Sequence, residues 1–118
     1  MTISARVLVH TSESKLIPVD PSDVYLLEAE GSATRVRRRS RGVLLDYREL
    51  GQVFPLFEAH GFLRVHREFA VNPERIAVIR RRRSGRDWEL KLEPPVNRVI
   101  PIARDARAAV WAAFGERD

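Results

Sequence analysis

The stretch DVYLLEAEG, residues 23 to 31, constrains the fold most. In an extended chain Val24 and Leu26 point one way, Tyr25 and Leu27 the other. A strand that is apolar on both parities is buried on both faces. Gly31-Ser32 breaks it, and ATRVRRRSR returns with Arg35, Arg37 and Arg39 on one face.

Most other segments also read as short strands. ARVLVH (5–10) and KLIPVD (15–20) flank TSES as an opening hairpin, and VLLDY follows Gly42. FLRVH (62–66) and EFAV (68–71) are strand-like, and NPER is a turn whose dihedral Pro73 pre-sets. IAVIRRR and DWELKLE flank a predicted turn at Ser84-Gly85. RVIPI (98–102) is a last strand. A helix is predicted from about Tyr47 to Ala59, capped by Asp46, broken near Pro55 and ended by His60-Gly61. ARDARAAVWAAFG predicts a closing helix with Val110, Trp111 and Phe114 toward the body. The expected fold class is mainly β, one domain over residues 1–118, of small antiparallel sheets with one or two short helices.

The charge is unevenly spread. Of 21 basic residues only Lys15 and Lys91 are lysine, and the formal net charge is +5. RVRRRSR (35–41) and RRRRSGR (80–86) hold five arginines each and no acid; taking those ten from +5 leaves −5 for the remainder. Clustered arginine is the footprint of a polyanion partner. The other reading is two solvated strand edges guarded by charge.

Catalytic and metal chemistry find little support. There is no cysteine, so no disulfide and no thiolate metal site. His10 and His60 stand at element ends, and His66 with Glu68 makes half a metal site without a second ligand pair. No glycine-rich phosphate loop and no nucleophile elbow occurs. Neither an enzyme nor a cofactor or metal is expected. Apolar runs are too short to span a bilayer and MTISARVLVH is no leader, which predicts a cytoplasmic protein without membrane attachment.

Within FLRVHREFAV an arginine interrupts the apolar row. Strict alternation would bury the Arg67 guanidinium beside Leu63 and Phe69, which is costly unless it is paired. The cheaper arrangement is a break or bulge at His66-Arg67-Glu68 that turns Arg67 outward at an element end. There a planar, bidentate donor can read a guanine edge or grip a phosphate. The competing reading is an internal pair of Arg67 with Glu68 or an aspartate.

These residues resemble a known family. FLRVHREFAVNPERI is similar to the signature of the LytTR DNA-binding domain: V/L-R-x-H-R-S, an apolar pair, V-N and a later isoleucine. IPVDPSDVYLLEAEGSATRV resembles that family's opening segment and VIPIARDA its closing one, so the resemblance is strongest over residues 15–110. It implies an elongated fold of three small antiparallel sheets. It also implies a bacterial transcription regulator whose loops enter successive major grooves of double-stranded DNA and bend it, commonly at repeated operator sites.

Carried over by position, base contacts fall to Thr34, Arg35, Arg67 and Arg104. Phosphate contacts are expected of Ser32 and, from the clustering of charge, of Arg37, Arg39, Arg80, Arg81, Arg82 and Arg83. His66 and Asn72 are structural motif residues. The family's usual serine after His-Arg is Glu68 here; it either orients Arg67 or accepts from a cytosine amino group. The serine before the last arginine is Ala103, and Ser32-Ala33 replaces an asparagine and an aromatic. No receiver or sensor domain fits in these 118 residues, so the input signal is missing, or lies in a partner protein or outside this stretch of sequence. The alternative function is a basic β module that binds RNA or an acidic protein.

Overall fold

The computed structural model describes residues 5–83 and 85–117. Ten strands, two helices and three 3₁₀ turns follow in the order β1 (Val7–Ser12), β2 (Lys15–Val19), β3 (Val24–Glu30), β4 (Ala33–Arg38), β5 (Val43–Asp46), α1 (Leu50–Glu58), β6 (Leu63–His66), β7 (Phe69–Val71), β8 (Ile76–Arg81), β9 (Trp88–Leu92), β10 (Val99–Ile102) and α2 (Arg107–Ala113). They form three antiparallel sheets: the β1–β2 hairpin, a central sheet in the order β5-β4-β3-β7-β6, and a third in the order β10-β9-β8. The domain is elongated, 47 × 33 × 26 Å. Of the predicted Ser84-Gly85 turn, Ser84 lies outside the described residues.

β3 is the wall between two cores. On one side Val24 and Leu27 pack with Val7 and Val9 of β1, Val36 of β4, and Val53 and Phe57 of α1. On the other, Tyr25 and Leu26 pack with Val65, Val71, Leu90, Ile100 and Val110. Burial of such side chains stabilises by about 1.5–3 kcal/mol each. The strand is thus covered on both faces as predicted, but the residues are divided differently. Val24 lies opposite Arg38 and Leu26 opposite Arg37, so Tyr25 is an extra residue in the ladder. A bulge shifts the parity by one, and neighbours Tyr25 and Leu26 end up in the same core.

The helices depart from expectation in detail. Asp46 ends β5 and does not cap a helix. α1 starts after Glu49, whose amide donates to the Gln52 side chain at 3.2 Å. Pro55 lies inside α1 without breaking it. Its absent N–H would have served the carbonyl of Gly51, an exposed residue whose carbonyl is open to solvent instead of buried unpaired. At the closing helix Val110 is buried and Trp111 meets Trp88 edge-on at 5.1 Å. Phe114 follows the last turn and is only half covered, 50% exposed, lining a shallow concavity with Ile79, Trp88 and Trp111.

Candidate nucleic-acid interface

The arginine in the apolar row falls where the chain reverses. His66 pairs with Phe69, which leaves Arg67 and Glu68 as a two-residue turn between β6 and β7. Both are exposed, and Leu63 and Val65 still face the second core. The turn is held from three sides. Glu68 N–H donates to His66 Nδ1 at 3.1 Å. The Ala29 amide of β3 donates to the Glu68 carbonyl at 2.8 Å. Arg64 donates through Nε to the His66 carbonyl at 3.2 Å and through a terminal nitrogen to the Arg67 carbonyl. The Arg67 and Glu68 side chains do not pair with each other, nor with any other of the described residues.

A second turn shares this end of the central sheet. β7 runs against β3 with Phe69 opposite Glu28, so the β3–β4 turn at Gly31-Ser32 rises just beyond Arg67-Glu68. Gly31 has φ 58°, a left-handed conformation that glycine takes without strain. Ser32 is exposed. Thr34 is fully buried, and its hydroxyl donates to the Arg48 carbonyl at 2.8 Å. It cannot reach a base from there, which differs from the expected base contact. Thr34 lies two residues from Val36 and shares its face, so the strand period directs it inward.

Arg48 in turn grips the buried carboxylate of Asp46 with two bonds, 3.0 and 2.8 Å. Burial alone would raise the Asp46 pKa. Hydrogen bonds from the Arg48 side chain and from the His10 and Arg48 amides outweigh it and hold the carboxyl below its ordinary value. Arg35 is tied across β3 and β4, to Glu30 at 3.2 Å and Glu28 at 3.7 Å. Arg98, just before β10, also reaches Glu28, at 3.1 Å, and so links the third sheet to the central one.

The third element comes from the closing segment. The Ala103 amide donates to the Val65 carbonyl at 2.8 Å, which lays residues 103–106 along the outer edge of β6. Arg104 opens a 3₁₀ turn there, with 73% of its side chain exposed. Its Nε is paired with Asp87 at 3.1 Å. Arg64, His66, Arg67, Asp105, Ala106 and Ala109 line one shallow concavity between this segment and the β6–β7 turn. The turns carrying Ser32, Arg67 and Arg104 are therefore stitched into one rim by the bonds Ala29–Glu68 and Val65–Ala103.

The family model of the LytTr DNA-binding domain matches residues 14–115. The chain belongs to the LytTR family. By that family it is a DNA-binding domain. A solved LytTr DNA-binding domain from Bacillus cereus, part of a protein named as a methyl-accepting/DNA response regulator, is similar in fold. The two share 22% identity with a TM-score of 0.73, over 95% of this chain and 98% of that one. No curated protein matches the chain.

The arginine runs of this LytTR domain divide by place. β4 leads away from the rim at about 3.3 Å per residue, so Arg37 and Arg39 stand progressively farther from Ser32. In the β8–β9 hairpin Arg80 and Arg82 both hold Glu89, at 2.8 and 3.5 Å. Arg81 lies over the Trp88 ring at 5.3 Å. Arg83 is exposed near the hairpin tip, on the side that Asp87 joins to Arg104. Asn72 is buried and begins the next 3₁₀ turn; it accepts from Glu74 N–H at 3.1 Å and donates to the Val24 carbonyl at 3.2 Å. Among the described residues no three His, Asp or Glu converge as metal ligands, and no helix is long and apolar enough to cross a membrane.

Residue-by-residue reading missed Arg64, Asp87 and Arg98. Arg64 carried a signal, since it stands on the parity opposite Leu63 and Val65, three residues before Arg67. Asp87 and Arg98 act on partners 17 and 70 residues away, and no local pattern marks such pairs.

Proposed function

We propose that the rim reads double-stranded DNA in a sequence-specific way, with Arg67 and Arg104 entering the major groove. Its setting is transcription regulation in the bacterial cytoplasm. The observation that carries this is the joining of three exposed turns by main-chain hydrogen bonds, so that their side chains project from a common, fixed base. Loops held this way present donors with little ordering left to do on binding. Arg67 has a guanidinium without a partner among the described residues and is ready for the O6 and N7 acceptors of guanine. Among the described residues Asp87 takes only Nε of Arg104, which leaves both terminal nitrogens available.

Ser32 and Arg83 grip phosphates on either side. Arg37, Arg39 and Arg80 to Arg82 add the general attraction that makes binding salt-dependent. Arg35 joins the interface by exchanging Glu30, an exposed partner that holds it weakly. Repeated operator sites and a separate signalling protein complete the proposal.

Selection of bound duplexes from a random pool tests the reading and yields the site. Arg67→Ala should lower specific affinity by about 1–3 kcal/mol and relax preference at one position. Unchanged site binding by both Arg67→Ala and Arg104→Ala would remove these residues from the role. Stronger binding to single strands or RNA than to duplex would overturn major-groove reading itself.

A further inference from the structure

Four carboxylates near the rim are neutralised by arginine: Glu28 and Glu30 by Arg35, Asp87 by Arg104, and Glu89 by Arg80. Asp105 lacks such a partner among the described residues, but it lines the concavity among Arg64, His66 and Arg67. Glu68 is different. It stands on the tip of the turn, its carboxylate exposed and without a partner among the described residues. Its main chain is fixed at both ends, by His66 Nδ1 on the amide and Ala29 on the carbonyl, so the residue cannot swing away from Arg67.

We propose that Glu68 is a specificity-determining residue that accepts a hydrogen bond from the N4 amino group of a cytosine. This rests on the DNA-reading function proposed above for the same turn. Consecutive Cα atoms are about 3.8 Å apart, close to the rise of one base pair, so a tip that carries Arg67 to a base edge carries Glu68 to the same or the next pair. A carboxylate only accepts hydrogen bonds. Phosphate, guanine O6 and N7, and thymine O4 are acceptors too and repel it. The major-groove amino groups are donors, and cytosine N4 is the usual partner of a carboxylate. In one G·C pair the guanine offers acceptors to Arg67 while the cytosine offers the donor to Glu68. The turn therefore pairs a cationic and an anionic reader, where a serine in the second position would be indifferent to charge.

The experiment is a duplex selection run in parallel on the wild type, Arg67→Ala, Glu68→Ala and Glu68→Gln. The guanine preference lost in Arg67→Ala marks the pair that Arg67 reads. Glu68 reads either the cytosine paired with that guanine or one in an adjacent pair, and the position concerned is the one whose cytosine requirement differs between wild type and Glu68→Ala. In Glu68→Ala that requirement should fall by about tenfold or more, with other positions unchanged, and binding to random duplex should tighten as a repulsive charge is lost. Glu68→Gln, which can both donate and accept, should accept adenine there. Preferences in Glu68→Ala and Glu68→Gln identical to wild type at every position, the Arg67 position included, with uniformly tighter binding by both, would overturn the proposal and leave Glu68 a surface acid. Enrichment of no site by the wild type would overturn the DNA-reading function as well, so the two failures are distinct.

Discussion

Arg64 closes its guanidinium on the main-chain carbonyl of Arg67 while lying over the ring of Phe54, 5.8 Å from its centroid. One side chain thus ties helix α1 to the turn that presents Arg67 and Glu68. Lysine keeps the charge but lacks the planar fork that serves two carbonyls. Arg64→Lys should weaken binding to the selected site by about 1 kcal/mol. Binding to random duplex needs no fixed turn and should change by less than about twofold. Fluorescence anisotropy on both duplexes checks this, and equal losses on the two would show that the clamp does not serve reading.

The Arg104–Asp87 pair is exposed on both sides and so contributes little to stability. Its effect belongs to binding, because DNA must compete for Arg104 with a carboxylate already in place. Asp87→Asn should leave the urea midpoint nearly unchanged, raise affinity for random duplex, and steepen the dependence of log K on log salt. A shallower slope would mean that Asp87 holds Arg104 in a productive pose.

Thr34 separates a structural role from a reading role. Thr34→Val preserves shape but removes the donor to the Arg48 carbonyl, so it should lower stability by about 1 kcal/mol in urea titration. The selected DNA site should be unaltered. A shift in base preference would return Thr34 to the set of reading residues.

Asp46 gives the domain an acid limit. Its folded pKa lies below its ordinary value of 3.8. Its contribution to stability is therefore complete above that value and is lost as pH falls through the lower folded pKa. Thermal unfolding followed from pH 7 to pH 2 should show a decline that starts near the ordinary carboxylate range. In Asp46→Asn this part of the decline should be absent, with stability at pH 7 lower by about 1–3 kcal/mol. An equally steep acid decline in Asp46→Asn would assign the loss to other carboxylates.

Much of this was legible from residue patterns, and the failures have physical causes. The interruption at His66-Arg67-Glu68 pointed to a chain reversal because a lone guanidinium inside an apolar row is costly. The Thr34 burial was also visible, in its parity with Val36, yet position within a motif drew attention to the surface instead. The bulge at Tyr25 had no such sign. Its cause is the partner strand, and four apolar residues in a row satisfy either assignment of faces. Asp46 resembled a helix cap because acids before a helical pattern commonly cap it. Burial beside Arg48 is a long-range outcome of β1, β4 and β5 coming together. The tie between Asp87 and Arg104 likewise exists only once the third sheet has folded against the closing segment.

The bond from Ala103 to Val65 has one more consequence. β6 is the outermost strand of the central sheet, and an uncovered strand edge invites pairing with other chains. The segment that delivers Arg104 is also the one that shields this edge. In the proposed reading, solubility and DNA recognition rest on the same few residues. A variant that loosened residues 103–106 to change the site it reads would also open the sheet to aggregation, which narrows the sequence changes through which this loop can evolve.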